Sequence, residues 1–575
     1  MAPDRAPMTF GRLQTHVREV VTCLNALRIH RNDNVAIVLP NGPEMAVGFL
    51  AVACGAVAAP LNPAYSAAEF DFYLSDLHAR ALIVQAGIAS PAIEVARERG
   101  IPILEITPRK QDAAGLFEFS RATRARGLSP EIAVAEDVAL VLHTSGTTSR
   151  PKMVPLSHQN LCASARHIRQ SLALTPSDRC LNIMPLFHIH GLVGAVLSSL
   201  SAGASVVATP GFDAPRFFAW AAEFQPTWYT AVPTMHRAIL ARGTQSGQTI
   251  DRGRLRFIRS CSSALPPTLM AELEAGFGVP VVEAYGMTEA SHQMACNPLP
   301  PRARKAGSVG VATGTETAIM EAGGSRLLPA NEMGEIVVRG PNVMRGYANQ
   351  IGEQAFTEGW FRTGDLGRLD SEGYLFIEGR IKEIINRGGE KISPREVEEV
   401  LLQHPAVAQT VVFALPDQTL GQDVGAAVVL RDPAVTEREL RQAVAARLAN
   451  FKVPSRIIVL DALPLGATGK PQRIGLAEKL GLTEQDAPAR VPSPEIVAPR
   501  TLEEMFLAEA WCEVLKISSV GINQRFFDLG GDSLLAARTV NRVCQQLDVD
   551  FSLLDFMDAA TIADQALMLA EKMQA

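Results

Sequence analysis

Short apolar runs alternate with helix-like segments over the first 140 residues of the chain. Residues 35–39, 81–84 and 138–142 are continuous apolar runs of strand length. Before the first of these runs, residues 16–27 carry apolar side chains at helical spacing. A helix rich in small residues is predicted between the first run and the second. Strands that alternate with helices are typical of βαβ units. The pattern therefore predicts an α/β protein with largely parallel sheets.

The pattern changes in the second half of the chain. Residues 335–339 and 373–378 alternate apolar and polar side chains, which predicts antiparallel strands. A compact α+β stretch follows Lys382, with elements predicted at residues 394–403, 409–414, 425–430 and 437–448. Residues 481–500 are rich in proline, alanine and charge and are typical of a linker. The last 75 residues then read as a small helical module.

Length and composition restrict the class of protein. A chain of 575 residues is too long for one hydrophobic core, so several folding units are expected. The net charge of −6 argues against a nucleic-acid partner. Eight scattered cysteines without a C-x-x-C pair are typical of reduced thiols. The long uncharged stretches are rich in small residues, so we expect no membrane span. The reduced thiols and the lack of an apolar run after Met1 predict a cytoplasmic location.

One polar stretch, residues 144–152, directly follows a predicted strand. It holds five hydroxyl side chains, a glycine and two cations within nine residues. Small residues and N–H donors suit a bound phosphate, but a solvated turn has the same composition. The common phosphate-loop pattern G-x-x-x-x-G-K-[ST] is not met, since Lys152 has neither neighbour that this pattern requires. The stretch alone leaves both interpretations open.

Five stretches in order settle that choice. Residues 144–152, 283–289 (Glu-Ala-Tyr-Gly-Met-Thr-Glu), 360–365, 379–382 and 464–470 together resemble the adenylate-forming enzymes, which include acyl-CoA synthetases, adenylation domains and luciferases. The resemblance covers about residues 10–475. It implies that ATP activates a carboxylic acid as an acyl-adenylate, which a thiol then attacks. It also implies a large lobe of βαβ-built sheets with a β-barrel-like subdomain at residues 1–381 and a small α+β lobe at 382–480.

The resemblance implies the nucleotide site residue by residue. Asp365 would hold the ribose beside Arg380, Thr288 the α-phosphate, and Glu289 a Mg²⁺ ion. The triphosphate would lie against Thr144, Ser145, Gly146, Thr147, Thr148 and Lys152, and the adenine against Ser263, Ala264, Glu283, Ala284 and Tyr285. The chain departs from the family at Ser149 and Met153, where glycine is usual.

The resemblance also implies the moving parts. Lys470, in a glycine-containing loop, would reach the acid and the α-phosphate during adenylation. Lys382 would be the hinge about which the small lobe rotates between the two reactions. Gly388 and Gly389 would then face the tunnel through which the thiol enters.

Four stretches bear on the choice of acid: residues 144–152, Leu-Phe-His-Ile-His-Gly at 186–191, Arg-Ser-Cys-Ser-Ser-Ala at 259–264, and residues 292–300. Together they resemble the oxalyl-CoA synthetase branch of the family. His188 stands where amino-acid-activating relatives carry an aspartate, which disfavours an amino-acid substrate. Ser262, Ser263 and His292 add donors suited to a small acid rich in oxygen. The alternative is that the histidines are core residues with satisfied nitrogens, and a long apolar tunnel for a fatty acid also stays open.

A second signature lies near the end of the chain. The stretch Asp-Leu-Gly-Gly-Asp-Ser-Leu around Ser533 resembles acyl- and peptidyl-carrier domains, in which this serine carries a 4′-phosphopantetheine arm. Residues 501–575 are accordingly expected to form an all-α four-helix carrier. A short linker would raise the effective thiol concentration to the ~mM range. This favours loading of the chain's own arm.

These patterns together predict a ligase that adenylates a small polar acid and loads its own carrier. Its cofactors would be ATP, Mg²⁺ and phosphopantetheine on Ser533, with CoA as a further candidate. Its partners would be the acid, a phosphopantetheinyl transferase and a downstream acyl-accepting enzyme of a biosynthetic pathway. One alternative is an oxalate–CoA-ligase-like enzyme that uses free CoA. From another class, the chain could be a carrier scaffold with an inactive adenylation half.

Overall fold

The computed structural model describes most of the chain. The described residues are 1–120, 129–144, 151–246, 254–348, 355–417, 420–464, 473–482, 497–515, 517–526, 529, 533–547, 549, 551–552, 555–556, 559 and 561–574. Two compact units divide the chain, the first comprising residues 1–413, 426–453 and 457–474, the second residues 414–425, 454–456 and 475–575. The predicted boundaries at 381, 480 and 500 stay predictions.

Helices and strands alternate along the described residues of the first unit, and the second unit also contains helices. The helices of the described residues are α1 Phe10–Ala26, α2 Pro43–Ala53, α3 Ala67–Asp76, α4 Pro91–Glu98, α5 His158–Ser171, α6 Ser198–Ser201, α7 Ala214–Phe224, α8 Pro233–Ser246, α9 Pro267–Phe277, α10 Pro394–Leu402, α11 Glu437–Ala445, α12 Leu476–Lys479, α13 Leu502–Leu515, α14 Ser533–Leu547 and α15 Ile562–Gln574. A π-helix spans His190–Leu197, and 3₁₀ turns span Thr288–Ala290, Ile381–Glu383 and Asn450–Lys452.

Twenty-four strands form four sheets in the described residues. The strands are β1 Asn34–Val38, β2 Val57–Pro60, β3 Ala81–Gln85, β4 Ile103–Pro108, β5 Phe117–Phe119, β6 Val138–Thr144, β7 Lys152–Ser157, β8 Arg179–Asn182, β9 Ser205–Ala208, β10 Trp228–Ala231, β11 Phe257–Cys261, β12 Val281–Met287, β13 His292–Cys296, β14 Val311–Ala312, β15 Glu316–Met320, β16 Gly334–Arg339, β17 Phe356–Thr357, β18 Trp360–Leu369, β19 Leu375–Arg380, β20 Ile385–Arg387, β21 Glu390–Ile392, β22 Val407–Asp417, β23 Gly421–Leu430 and β24 Arg456–Val459.

Two seven-stranded sheets confirm the parallel α/β prediction. The first has the order β5-β4-β3-β1-β2-β6-β7, and its four central pairings, β4-β3, β3-β1, β1-β2 and β2-β6, are parallel. The second has the order β14-β13-β12-β11-β10-β8-β9 and is parallel from β12 to β9. Antiparallel strands occur at their edges. Side chains of α1, α2 and α5 pack with both sheets in one apolar core, and two further apolar cores lie against the sheets. The strands are continuous apolar runs because both of their faces are covered.

The edge strand β7 was not predicted from the sequence. It pairs antiparallel with β6, and Thr144 lies directly opposite Lys152. Its sequence begins with a lysine and contains Pro155, which weakens the strand pattern. Pro155 is compatible with the pairing because β7 is the last strand of the sheet order. Residues 145–150, which connect the two strands, lie outside the described residues.

The predicted antiparallel region and α+β region are both present. β15 to β19 form a five-stranded antiparallel sheet with the order β15-β16-β18-β17, in which β19 also pairs with β18. The fourth sheet has the order β21-β20-β23-β22, with β24 on β23. Helices α10 and α11 accompany it, as the apolar periodicity after Lys382 predicts.

The C-terminal segment has its own helical core. Helices α13, α14 and α15 surround Trp511, Phe526 and Phe556, whose rings pack edge-on or tilted at 4.8 to 6.0 Å. Trp511 Nε1 donates to Gln565 Oε1 at 3.1 Å, so the buried indole N–H is satisfied. This confirms the helical carrier region. No helix within the described residues has the length and apolarity needed to cross a membrane.

Candidate active site

The base of the predicted phosphate loop is a hairpin. The register pairs Thr144 with Lys152, so the hydroxyl and ammonium groups flank the two ends of the connection. The Lys152 Nζ atom lies 4.5 Å from the ring centroid of Tyr347. A cation over an aromatic face is held in place while its charge stays available to an anion. Ser145, Gly146, Thr147 and Thr148 lie outside the described residues.

Glu289 is a buried carboxylate beside this hairpin. It lies in the 3₁₀ turn Thr288–Ala290 and is 6% exposed. Burial raises the pKa of the Glu289 carboxyl, although a hydrogen bond from Tyr347 and the charges of Arg380 and Lys152 oppose the shift. The Tyr347 hydroxyl donates to Glu289 Oε1 at 2.9 Å.

These groups fit a magnesium ion that is shared with phosphates. Mg²⁺ is commonly held by one or two carboxylates while phosphates and water complete its shell. The buried Glu289 carboxylate beside the β6–β7 hairpin meets that need. A bound cation would offset the free-energy cost of burying its negative charge. The described residues contain no cluster of three or more histidine, cysteine or acidic side chains that could hold a metal alone.

A second carboxylate, Asp365, lies on β18 and is 5% exposed. It accepts a short hydrogen bond from the Tyr285 hydroxyl, and its Oδ1 lies 3.1 Å from Arg380 Nε. Asp365 is the main cause that raises the pKa of the Arg380 guanidinium. An ionised carboxylate fixed from two sides is well placed to accept hydroxyl groups. The ring of Tyr285 is buried, and its hydroxyl has this partner on Asp365.

Glu283 lies on β12 of the second sheet, and its side chain contacts the 262–265 loop. Its Oε1 accepts the backbone N–H of Leu265 at 2.8 Å. Burial raises the pKa of the Glu283 carboxyl to about 7. Ser263 and Ala264 on the same loop are exposed, and Ala284 is buried beside Glu283. The predicted adenine set is therefore contiguous in space, with two members open to a ligand.

A buried guanidinium lies at the centre of the predicted acid pocket. Arg259 on β11 is fully buried, and Arg259 Nη2 lies 3.0 Å from His292 Nε2 and 2.9 Å from Gln293 Oε1. Arg259 Nη1 lies 3.2 Å from His190 Nε2 and 3.3 Å from Thr230 Oγ1. All of these partners are neutral groups or imidazoles. No carboxylate of the described residues forms an ion pair with Arg259.

The contacts of Arg259 fix the tautomers of both histidines. A guanidinium only donates, so the Nε2 atoms of His190 and His292 must accept, and each ring then carries its proton on Nδ1. The Nδ1–H of His190 donates to Ser262 Oγ at 3.1 Å. The hydroxyl proton of Ser262 is then directed away from His190. The imidazole rings stack at 4.9 Å with an angle of 26°.

An eight-residue π-helix makes room for the stacked rings. A Cβ atom on Gly194 of this helix would lie 2.6 Å from His292 Nε2 and 3.2 Å from His190 Cδ2. A Cβ atom on Gly191 would lie 2.3 Å from the Pro185 carbonyl oxygen. Such helices are rare and occur mainly at functional sites. A side chain at either position would therefore clash with a neighbouring segment, so both positions require glycine.

Backbone strain concentrates at the same pocket. Ser262, Ser291 and His292 have φ values of 73°, 52° and 103°, in the left-handed region that side chains disfavour. Each such residue costs on the order of 1–3 kcal/mol unless its surroundings hold it. Strain of this kind at three pocket residues is typical of a functional site.

Among the predicted site residues, Lys152 and Glu289 both contact Tyr347, and Asp365 contacts Arg380. Ser262 and His292 contact His190 and Arg259. His190 and Arg259 were not predicted; a charged residue inside the apolar strand β11 was the available signal for Arg259. The contact described for His188 is ring packing on Phe187 at 4.6 Å. Lys382, Gly388 and Gly389 are exposed, the glycines at φ 58° and 100°. Lys470 lies outside the described residues, and Ser533 is the first residue of α14.

Comparison with known proteins agrees with this geometry. Residues 3–348 match the AMP-binding enzyme family, residues 396–470 its C-terminal domain, and residues 506–569 the phosphopantetheine attachment site. An oxalate–CoA ligase of Arabidopsis thaliana is 46% identical over 477 residues, which are 81% of this chain and 92% of the relative. A sulfoacetate–CoA ligase of Cupriavidus necator is 37% identical over 83% of this chain and 93% of the relative.

The solved structures point the same way. ATP-bound MatB from Rhodopseudomonas palustris superposes with a TM-score of 0.74 at 29% identity, covering 83% of this chain and 96% of MatB. The fold, the buried carboxylates beside the hairpin and the sequence matches are concordant. The chain therefore belongs to the AMP-binding family of AMP-forming acid–thiol ligases and carries a C-terminal phosphopantetheine attachment domain.

Proposed function

We propose that this protein activates a small acid with a second anionic group and transfers the acyl group to a thiol on its own carrier domain. The observation that carries the choice of acid is Arg259, a fully buried cation whose partners within the described residues are neutral. Burying an unpaired charge costs several kcal/mol. An anionic group on the substrate would offset that cost.

The hydrogen-bond directions favour the same acid. Arg259 occupies the Nε2 atoms of His190 and His292, so both rings carry their protons on Nδ1. Ser262 accepts the Nδ1–H of His190, and its own hydroxyl proton is left to donate. Donors in a positive field suit carboxylate or sulfonate oxygens. A substrate ammonium would meet donors and a like charge instead. A small diacid is therefore favoured over an amino acid.

The names of the relatives give independent support. The Arabidopsis and Cupriavidus relatives are named for oxalate and sulfoacetate, which are small acids with two anionic groups. Oxalate would place its second carboxylate next to the reacting one. We therefore take oxalate as the first acid to test.

The proposed chemistry has two displacement steps. A carboxylate oxygen of the acid attacks the α-phosphorus of ATP, and the bond from that phosphorus to the bridging oxygen breaks, so pyrophosphate leaves. Lys152 would neutralise the triphosphate, Thr288 would donate to the α-phosphate, and Asp365 would hold the ribose hydroxyls. Magnesium held by Glu289 would spread the developing charge on the phosphates. A thiol sulfur then attacks the acyl carbon, and the bond to AMP breaks.

The carrier domain supports transfer within the chain. Ser533 begins the 15-residue helix α14, and a helix N-terminus favours the negative charge of a phosphodiester. A tethered thiol also has a high effective concentration. The second candidate is transfer to free CoA, which the CoA-ligase names of the relatives favour.

One experiment separates these possibilities. Pyrophosphate release is measured over a panel of small acids with the full chain in its apo and pantetheinylated forms, followed by intact-mass measurement. We expect release with oxalate or a similar diacid and an acyl mass gain on the pantetheinylated chain. Turnover only with added CoA, without a mass gain, would favour the CoA ligase. Absence of pyrophosphate release with every acid would contradict the proposed activity.

Two variants test the roles of residues beyond the pocket. Ser533→Ala should abolish the mass gain and leave pyrophosphate release intact. Lys470→Ala should abolish adenylation while thioester formation from a pre-formed adenylate continues. A normal acyl load on the Ser533→Ala chain, or equal loss of both steps in Lys470→Ala, would contradict these roles.

A further inference from the structure

The turn that follows Glu289 carries two neighbouring residues in strained conformations. Ser291 has φ 52° and His292 has φ 103°. A histidine at φ 103° is far from any conformation that its side chain favours. The same turn holds Glu289 at one end and His292 at the other. It therefore sets the relative position of the metal-binding carboxylate and the acid-pocket imidazole.

A buried asparagine from another segment bridges this turn. Asn342 lies between β16 and β17 and is fully buried. Its Nδ2 donates to the carbonyl oxygens of Ala290 at 2.9 Å and Gln293 at 3.4 Å. These carbonyls flank the two strained residues. Because an amide nitrogen has two N–H groups, one side chain can satisfy both oxygens.

Asn342 is itself fixed. Its Oδ1 accepts from the Thr315 hydroxyl at 2.9 Å. Asn160, near the start of α5, donates to the carbonyls of Pro341 at 2.8 Å and Val343 at 3.0 Å on either side of it. Ser164, one turn further along α5, donates to the Ser291 carbonyl at 2.6 Å. Loop and turn are thus both anchored on α5.

The same loop also contacts Glu289. The Met344 backbone N–H donates to the Glu289 carbonyl at 2.7 Å, and the Tyr347 hydroxyl donates to the Glu289 carboxylate at 2.9 Å. Residues 340–347, which we name the buttress loop, therefore hold the turn at its backbone and at its acidic side chain. An apolar side chain at position 342 would leave two buried carbonyl oxygens without these donors, which is costly.

We propose that Asn342 is a positioning residue that holds the strained turn, and through it sets His292 against Arg259 and Glu289 against the phosphate site. This inference rests on the proposed function for its kinetic consequences, but its structural consequence is independent of any substrate. Without the Asn342 amide, Ser291 and His292 would relax toward ordinary φ values. His292 Nε2 would then leave its position 3.0 Å from Arg259 Nη2.

The first test is structural. The crystal structure of the full chain with Asn342→Ala is compared with that of the unaltered chain. We expect loss of positive φ at Ser291 or His292 and separation of His292 from Arg259. Asn342→Leu, which has a similar volume but no donor, should show the same change. An unaltered turn in both variants would overturn the proposal.

The second test is kinetic and uses oxalate, ATP and Mg²⁺. A displacement of about 1 Å can lower a rate by about 10²-fold, so Asn342→Ala should lower kcat/KM for the acid by that order and raise the Mg²⁺ concentration for half-maximal rate. Ser164→Ala removes one bond to the same turn and should act in the same direction but less. The matched control is Asn297→Ala, a buried asparagine that bonds to the Ser308 carbonyl and not to the turn.

The outcomes separate two failures. Inactivity of the unaltered chain with every acid would refute the proposed function, and the structural test would still decide the role of Asn342. A displaced turn with unchanged kinetics would overturn the positioning role. Equal kinetic defects in Asn342→Ala and Asn297→Ala would also overturn it, because any buried hydrogen bond would then have the same effect.

Discussion

The guanidinium of Arg259 lies 3.0 Å from Nε2 of His292, and both side chains are buried. This contact determines which imidazole nitrogen accepts and leaves the Nδ1 proton for the other side of the ring. It also places a permanent positive charge behind the pocket. Selection of an anionic acid would then depend on Arg259, whose positive charge lies behind the imidazoles of His190 and His292.

Arg259→Met should remove acid activation without unfolding the protein. Loss of a buried, hydrogen-bonded charge partner typically costs 2–5 kcal/mol of binding, so kcat/KM for the acid should fall by about 10²-fold or more. Replacing a buried charge by an apolar side chain is often neutral or stabilising, so Tm should not fall. Pyrophosphate release and thermal unfolding measure the two effects. Arg339→Met, at an exposed pair with Glu316, is the control.

Gly194→Ala should disturb the stacked imidazoles directly. The new Cβ would lie 2.6 Å from His292 Nε2, which forces a shift. Overpacking of this kind costs about 1–3 kcal/mol. We expect a lower kcat/KM for the acid and a changed order of preference across the acid panel. Gly48→Ala, whose Cβ would meet Leu39 at an ordinary 3.5 Å, should leave the order unchanged. An unchanged preference in Gly194→Ala would contradict the proposed role of the π-helix.

Glu283 should make the protein less stable as the pH rises through the neutral range. Burial raises the pKa of its carboxyl from 4.5 to about 7. Below the ordinary pKa both folded and unfolded states hold the proton, so the carboxyl has no effect on stability. As the pH rises to 7, the unfolded state ionises first. At higher pH the full penalty, about 3 kcal/mol, applies.

Glu283→Gln should therefore flatten the decline of Tm between pH 5 and 8 and raise Tm at pH 8. Its amide oxygen can still accept the Leu265 N–H. Thermal unfolding across this range measures the effect. Glu316→Gln is the control, because Arg339 lowers the pKa of Glu316 and its effect on stability lies in the acidic range. A parallel decline in the unaltered chain and Glu283→Gln would refute the assignment.

Arg473 should be essential to the stability of the region around α10. It donates to the Val412 carbonyl at 2.6 Å and to Glu398 Oε1 at 2.7 Å, and it pairs closely with Glu383. Burial raises the pKa of the Glu398 carboxyl, although Arg473 opposes the shift. Removing one partner of a buried pair costs about 3–5 kcal/mol. Arg473→Met should therefore lower the free energy of unfolding by roughly that amount.

The double variant tests the cause. In Arg473→Met with Glu398→Gln, the uncompensated charge is absent while the amide oxygen still accepts the Val412 N–H. Part of the lost stability should return, as measured by urea unfolding of all four chains. Additive losses would show that the charge on Glu398 is not the cause.

The sequence indicated the parts of the site that lie within contiguous stretches. Glu283, Thr288 and Glu289 belong to one run of seven residues, and Asp365 belongs to another. The apolar runs also predicted the parallel sheets. Ser262 and His292 were identified by residue type, and the structure places Ser262 on His190 and His292 on Arg259. Local chemistry is enough to predict a candidate site whose members are neighbours in the chain.

The sequence by itself determined the family pattern and the order of its parts, and it predicted the carrier serine, because these depend on local motifs and periodicity. Only the tertiary structure decided which histidine meets Arg259, since His190, Arg259 and His292 come from a π-helix and two strands far apart in the chain. It also decided that Gly194 and Asn342 support them. Close packing and backbone strain arise between segments, so no local pattern of residues specifies them.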